Sequence, residues 1–141
     1  MACIHHSAAT LRIIGDDLIP AEITEALGAS PTHVQTKGEK IVGNNTGKDR
    51  TARSGMWRLV VSDREPEDLD GQIREILGQL TEDLDVWKSI GSRYKMDLFC
   101  GLFMECSNEG MELSPESLLA LGSRGIKIGL DIYGPTGDDE E

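Results

Sequence analysis

The sequence has few aromatic side chains, few cysteines and no long apolar run. Two Phe, two Tyr and two Trp among 141 residues are too few to predict the aromatic platform on which RNA-binding sheets stack bases. Three cysteines without a Cys-x-x-Cys spacing do not form a disulfide framework, so we expect reduced thiols in a cytoplasmic protein. No stretch approaches the roughly 20 apolar residues that span a bilayer, and we expect no secretion signal.

Basic residues are also scarce, and they are unevenly distributed. The chain carries 14 Lys and Arg against 25 Asp and Glu, a formal net charge of −11. This balance argues against a general affinity for nucleic acid or anionic membranes. Half of the 14 basic residues nevertheless lie between Gln35 and Arg64. Such a cluster is typical either of a site for an anionic partner or of a solvated loop that offsets an acidic body.

The segment VGNNTGKDRT, from Val42 to Thr51, resembles a phosphate-binding loop but does not have its spacing. Val42 stands where the first glycine of Gly-x-x-x-x-Gly-Lys-Ser/Thr is required, and Asp49 stands where a hydroxyl should bind Mg²⁺. The segment also leads into a strand pattern rather than a helix. We therefore predict a long, mobile loop between two strands and no nucleotide binding.

Hydrophobic periodicity predicts an α+β fold. Strand patterns occur in AATLRIIG, THVQTKG, GMWRLVVS, MDLFCGLFME and IKIGLDIY, and helix patterns in PAEITEALG, EPEDLDGQIREILGQL and LSPESLLALGSRG. We expect the second of these helices to be the longest and to be followed by a short further turn over EDLDVWKSIG. Gly122 should end the last helix. Leu130 and Ile132 of the last strand should point into the core. The order βαββαβαβ predicts a mixed sheet of about five strands with helices mainly on one face, an elaboration of the ferredoxin-like fold.

The length suits one domain, which we place at residues 1–134. The acidic tail over residues 135–141 has a composition that predicts disorder. Two segments, LRIIG to THV and LFMEC to IKI, both run strand, proline-opened helix, Ala-Leu-Gly and strand. This similarity indicates a weak internal duplication, with parallel strands in each unit.

Several segments together resemble a known family. They are Gly15-Asp16, Pro20 with Glu22-Ile23-Thr24, Lys37-Gly38, Ser54 to Trp57, and Leu130-Asp131-Ile132-Tyr133. From about Ala8 to Tyr133 the chain is similar to the bacterial family known as domain of unknown function 4279. The resemblance implies a small, stand-alone cytoplasmic domain and implies no chemistry, since the family has no activity to carry over. The insertion from Gly43 to Gly55 is then particular to this member.

Candidate catalytic and metal-binding residues do not form a recognised pattern. Cys3, His5 and His6 have the side chains that bind transition metals, but adjacent histidines in an extended chain point to opposite sides. The Asp16-Asp17 pair is best explained by entry into a helix. Cys100 lies within an apolar strand, which favours a core position over a nucleophilic role, and no Gly-x-Ser-x-Gly elbow occurs. We therefore predict no metal site, no cofactor and no enzymatic activity.

The basic cluster is the remaining candidate site. Because Arg58 alternates with Trp57, it should point away from the core and join a patch that binds an anion or a protein. The patch would contain Lys37, Lys48, Arg50, Arg53 and Arg58. Our leading hypothesis is a non-enzymatic binding module that contacts a protein partner, of toxin–immunity or regulatory type, through a basic loop and a sheet edge.

Two alternatives remain open. The first is a dimeric domain that senses a small anion and pairs across a two-fold axis through the edge strand around Thr32 to Thr36. The second is an enzyme whose site the sequence does not reveal, which would require a concave polar pocket with clustered titratable groups.

Overall fold

A computed structural model describes residues 4–43 and 48–135 of the chain. The strands are β1 (His6–Gly15), β2 (His33–Gln35), β3 (Lys40–Ile41), β4 (Arg50–Thr51), β5 (Gly55–Val60), β6 (Lys95–Phe103) and β7 (Lys127–Tyr133). The helices are α1 (Pro20–Leu27), α2 (Leu69–Leu77), α3 (Leu84–Arg93) and α4 (Pro115–Ser123). Three parts of the sequence predictions lie outside the described residues: Cys3 as a metal ligand, the middle of the mobile loop at 44–47, and the disordered tail at 136–141.

Five strands form one sheet in the order β2-β5-β1-β6-β7. β1 pairs antiparallel with both β5 and β6, β2 pairs antiparallel with β5, and β7 runs parallel to β6. The two predicted repeat units, β1-α1-β2 and β6-α4-β7, therefore each join strands of the same direction. The predicted α+β class and the mixed sheet of five strands are confirmed.

One face of the sheet packs against helices. α1 contacts β5, α2 contacts β1, and α4 contacts β7. The buried strand residues alternate along the inner strands and are Ala9, Leu11, Ile13, Trp57, Leu59, Met96, Leu98, Cys100 and Leu102. They form one core with helix residues such as Ile23, Ile73 and Trp87. The residues between them, among them Thr10, Arg12, Arg58 and Phe99, lie on the other side of the sheet, which we call the open face because no described helix packs on it.

The helix boundaries follow local signals, with one exception. Pro20 begins α1, and Gly28 ends it with a left-handed φ of 82°, as predicted. The Ser114 hydroxyl accepts a hydrogen bond from Ser117 N–H and caps α4. The prediction that Gly122 closes α4 is wrong, because the helix continues to Ser123 and the left-handed residue is Gly125, with a φ of 75°. Among the described helices, none has the length and apolarity needed to cross a membrane.

The connection from β5 to β6 contains two helices of similar length. α2 has nine residues and α3 has 10, so the prediction of one longest helix followed by a short turn is wrong. Asp83 precedes α3 and caps it by accepting a hydrogen bond from Asp85 N–H. The fully buried Trp87 then holds α3 in place, since its indole N–H donates to the carbonyl of Thr81 at 2.8 Å.

The second half of β7 is exposed. Ile126 before the strand is buried and Ile128 is half-buried, but Leu130 and Ile132 are 50% and 56% exposed. The prediction that both point into the core is therefore wrong. β7 has a neighbouring strand on one side only within the described sheet, and no described helix covers its end.

A buried polar network joins β1 to α2. Gln72 is fully buried. Its side-chain N–H groups donate to the carbonyls of Ser7 at 3.2 Å and Ser62 at 3.0 Å, and its Oε1 accepts from the Ser7 hydroxyl at 2.6 Å. The Ser7 hydroxyl in turn accepts from Asp68 N–H at 3.1 Å, at the start of α2. Each buried polar group in this network thus has a partner, which is the condition for tolerating polar groups in a core.

Removing the Gln72 amide should destabilise the fold. In Gln72→Leu the fully buried Ser7 hydroxyl loses the acceptor of its hydrogen bond and the Ser62 carbonyl loses a donor, so we expect a loss of about 2 to 3 kcal/mol in the free energy of unfolding. Equilibrium unfolding in urea measures this loss. The control Gln79→Leu changes an exposed glutamine after the same helix and should stay within about 0.5 kcal/mol of wild type. Equal effects in the two variants would contradict the role of the network.

Cys100 and Cys106 should differ sharply in reactivity. Cys100 is fully buried in β6, and this burial raises the pKa of its thiol to about 12, with Asp97 adding to the effect. Cys106 is exposed. Because the reactive species is the thiolate, a Cys3→Ser variant should present one thiol to a disulfide reagent when folded and a second only on unfolding, even at about pH 9.

A Cys3→Ser/Cys106→Ser variant is the control and should remain unreactive until it unfolds. Rapid labelling of Cys100 in the folded chain would show that this part of the core opens readily.

Candidate functional site

The connection between β2 and β5 contains backbone hydrogen bonds and a short pair of strands in its described part. Gly38 N–H donates to the Ala52 carbonyl at 2.9 Å, and Ala52 N–H donates to the Glu39 carbonyl at 2.8 Å. Beyond these bonds β3 and β4 pair antiparallel, and Ala52 is buried. The predicted loop from Val42 to Thr51 thus contains β4, which pairs with β3 just before the loop, and its mobility stays a prediction. We call residues 36–43 and 48–54 the basic arm.

The basic arm carries four of the five predicted binding residues, and all four are exposed: Lys37, Lys48, Arg50 and Arg53. Lys37 and Arg53 flank the backbone hydrogen bond between Gly38 and Ala52, so the structure brings these two cations together. The Lys37 ammonium also lies 3.2 Å from the Asp16 carboxylate at the end of β1. Asp16 therefore anchors the arm to the sheet.

The fifth predicted residue, Arg58, lies on the sheet and not on the arm. Its Cα partners are Arg12 on β1 and His33 on β2. As predicted from the alternation, Arg58 is on the face opposite Trp57. Its Nε atom is buried and has no hydrogen-bond partner among the described residues. The five predicted residues thus form two groups, one on the arm and one residue on the open face.

Arg58 belongs to a row of residues at one level of the open face, one from each strand. In sheet order the row is His33, Arg58, Arg12, Asp97 and Lys127, and we call it the charged row. Arg12 binds Asp97 through two hydrogen bonds, Nε to Oδ1 at 2.9 Å and Nη2 to Oδ2 at 2.7 Å. Bonding to Asp97 outweighs partial burial and raises the pKa of Arg12. The row therefore contains one carboxylate, from Asp97, against three cationic side chains and an imidazole.

Sequence analysis missed four members of this row: His33, Arg12, Asp97 and Lys127. Arg12, Asp97 and Lys127 lie far apart in the chain, and only the register of β1, β6 and β7 brings them together. Periodicity indicates on which face a residue lies but not which strands become neighbours. The one available signal was the alternation that places Arg12 opposite Leu11 and Ile13 on the first strand.

An open depression of about 500 Å³ lies at the Lys127 end of the charged row. It is lined by Arg12, Ile14, Lys95, Met96, Asp97, Gly125 and Lys127. Lys95 and Lys127 are exposed, and neither ammonium group makes a hydrogen bond or an ion pair with another described residue. Since Asp97 is already bound to Arg12, the two ammonium groups give the depression a positive character suited to a carboxylate or phosphate.

The other end of the open face carries stacked rings. The His6 and Phe103 rings are 4.0 Å apart, and the Phe103 and Tyr133 rings 4.7 Å apart, with 7° between planes in both pairs. Phe99 lies nearer the charged row, with the Arg12 guanidinium 4.6 Å from its ring centre. From the small number of aromatic residues, the sequence analysis did not predict a group of aromatic side chains on the sheet. The structure shows that both Phe residues and one of the two Tyr residues gather on the open face.

The histidines at the start of β1 do not point to opposite sides as predicted. Their Nδ1 atoms are 3.1 Å apart, because His5 lies in a bend before the strand begins. His5 Nε2 also approaches the Glu65 and Glu105 carboxylates, at 3.0 and 3.4 Å. Within residues 4–43 and 48–135, no group of three or more His, Cys, Asp or Glu side chains is arranged to hold a metal ion.

Comparison with known proteins places the chain in a family. No curated protein and no solved structure matches it. A family model matches residues 4–135, a span that includes all the described strands and helices, the basic arm and the charged row. As the resemblance in its sequence predicts, the chain belongs to the family described as Domain of unknown function (DUF4279).

Proposed function

We propose that this protein is a non-enzymatic binding module whose basic arm and charged row bind an acidic surface of a partner protein, as one half of a regulatory or toxin–immunity pair. The position of Arg58 carries the proposal. It lies between Arg12 and His33 in the charged row, and its buried Nε has no hydrogen-bond partner among the described residues.

An incoming carboxylate would relieve two unfavourable features of this row. Cationic side chains directly opposite each other on neighbouring strands repel, and Asp97 compensates only Arg12. A buried N–H without a partner also costs about 1 to 3 kcal/mol. A carboxylate that accepts hydrogen bonds from the Arg58 guanidinium reduces the repulsion, and it also satisfies Nε if the side chain turns outward to donate two parallel hydrogen bonds.

The basic arm extends this surface beyond the sheet. Arg50 and Arg53 are exposed. They precede β5, which begins at Gly55, three residues before Arg58. In a chain of net charge −11, a local excess of cations orients the approach of an acidic partner. A wide, shallow surface of this kind suits a protein better than a small substrate, which is bound in a deeper cleft.

The described chemistry favours binding over catalysis. The charged row supplies cations, while the thiol on β6, Cys100, lies on the buried face with its pKa raised to about 12. The unpaired thiols of Cys100 and Cys106 fit a reducing compartment, so we place the interaction in the cytoplasm.

We further infer that the architecture is a ferredoxin-like core with one added strand. β1, α1, β2, β5, the α2-α3 pair and β6 follow the βαββαβ order of that fold, if the arm and the second helix are treated as insertions. β5 lies between the parallel strands β1 and β2, and β6 flanks β1 on its other side. β7 then extends the sheet beyond β6.

Charge reversal on the arm should abolish partner binding. We expect an immobilised wild-type chain to retain a protein from a lysate of the source organism, and Arg50→Glu/Arg53→Glu to retain at least about tenfold less because two favourable charge contacts become repulsive. Arg58→Met, which keeps the aliphatic stem, should lose binding to a similar degree. Quantitative mass spectrometry of the retained proteins measures both effects.

A matched control reverses two cations on the helices. Arg74→Glu/Lys88→Glu makes the same change in net charge on α2 and α3 and should bind like wild type. Equal loss in the arm variant and in this control would show that net charge alone governs retention and would sink the proposed site.

A second function, binding of a small anion, is favoured by the depression between Arg12, Lys95 and Lys127. Calorimetric titration with citrate or inorganic phosphate should then show binding that Lys95→Gln and Lys127→Gln each weaken about tenfold and Arg50→Gln leaves unchanged. The absence of heat with both anions, or an equal loss in Arg50→Gln, would rule against this second function.

A further inference from the structure

We propose that β7 pairs antiparallel with β7 of a second copy of the chain, about a two-fold axis at Leu130, so that the two sheets become continuous. This homodimer is independent of the acidic partner proposed above. The inference comes from three features of the β7 edge, which we define as residues Lys127–Tyr133: its free backbone groups, its apolar side chains and its charges.

The two edges of the sheet differ in their capacity to pair. β2 has three residues and follows Pro31, and short edge strands next to proline resist pairing. β7 has seven residues without a proline. The edge strand around Thr32 to Thr36, which the sequence suggested for self-association, is therefore the poorer candidate.

The backbone of β7 presents alternate residues to the open edge. The Tyr133 carbonyl accepts a hydrogen bond from Met104 N–H at 2.9 Å, so the polar groups of Tyr133 point toward β6. Because the N–H and C=O groups of successive strand residues point to alternate sides, those of Ile128, Leu130 and Ile132 point away from β6. A second β7 centred on Leu130 places Leu130 opposite Leu130, and Ile128 opposite Ile132, as hydrogen-bonded pairs.

The same alignment buries the exposed apolar side chains of the edge. Leu130 and Ile132 are 50% and 56% exposed on the helix side of the sheet, and the pairing sets each against an aliphatic residue of the second copy. α4, which packs on this side of β7, also carries two exposed leucines, Leu118 and Leu119, at 51% and 72%, and the alignment does not require their burial. Cross-strand pairs of aliphatic residues stabilise antiparallel ladders.

Charges on the open face are also complementary in this alignment. Lys127 lies opposite Tyr133 of the second copy and diagonal to its Asp131, a separation that a lysine side chain can span. The Tyr133 hydroxyl donates to Asp131 at 2.7 Å, which holds that carboxylate in place. At Gly129, opposite Asp131 of the second copy, an added Cβ would meet no atom within 4 Å, so the contact is not crowded.

The register is specific. A shift by one residue exchanges the two faces and sets charged residues against apolar ones. A shift by two residues keeps each side chain on its face of the sheet, but two residues of each β7 then have no residue of the other β7 opposite them. The alignment on Leu130 is thus the one that pairs every residue of the edge with another residue of the edge. Because the interface is small, we expect a dissociation constant on the order of micromolar.

Disulfide trapping tests the register in purified protein. In a Cys3→Ser/Cys106→Ser background, Leu130→Cys should cross-link two copies under mild oxidation, since Cα atoms in a hydrogen-bonded antiparallel pair are about 5.5 Å apart. Gly129→Cys and Ile132→Cys should not, because their symmetry-related Cα atoms lie more than about 7 Å apart. Cross-linking of Gly129→Cys, or of all three variants alike, would overturn the alignment.

Sedimentation velocity over a concentration range of about 1 to 100 µM tests the dimer without cysteine chemistry. Wild type should shift from monomer to dimer, Asp131→Lys should weaken the dimer about fivefold by repulsion from Lys127, and Lys127→Asp/Asp131→Lys should restore it. A wild-type chain that stays monomeric throughout, or an Asp131→Lys chain that dimerises like wild type, would refute the inference. Neither experiment involves the acidic partner, so the two proposals can fail separately.

Discussion

The central position of β1 determines both the core and the open face. Ala9, Leu11 and Ile13 of this strand lie in the core, while Arg12 lies on the other side. Because β1 pairs with β5 and β6 over most of its length, its alternation determines the faces of both neighbours. A register shift of one residue on β1 would turn the charged side chains inward and the leucines outward. The charged row is thus fixed by the same packing that secures the core.

Sequence patterns predicted the elements well and their neighbours poorly. The alternation of Trp57 and Arg58 gave their correct faces, because both lie in an inner strand with one covered side. The same alternation was wrong for Leu130 and Ile132, since periodicity does not reveal whether a helix covers the end of an edge strand. The pairing of β3 with β4 was missed because it depends on backbone hydrogen bonds around Ala52 and not on side-chain pattern. The row partners of Arg58 required the strand order, which no local signal contains.

The acidic and basic residues serve different purposes in this fold. Several acids act locally, as when Asp68 and Asp83 accept hydrogen bonds at the starts of α2 and α3, where the helix dipole also favours negative charge. Part of the acidity therefore stabilises the helices. Two exposed cations of the arm, Arg50 and Arg53, have no comparable contact among the described residues, while Lys37 contacts Asp16. The few basic residues are therefore better candidates for a functional role than the many acidic ones.

The stack of His6, Phe103 and Tyr133 has a consequence for chain connectivity. It joins the first residue of β1 to the last residue of β7 through one intervening strand, so the two backbones are separated by two strand spacings, roughly 10 Å. A linker of a few residues spans that distance. The geometry therefore suits circular permutation, in which a linker joins these two strand ends and the chain is cut at another loop. It also suits insertion of the domain into a loop of a host protein, since neither change breaks the sheet.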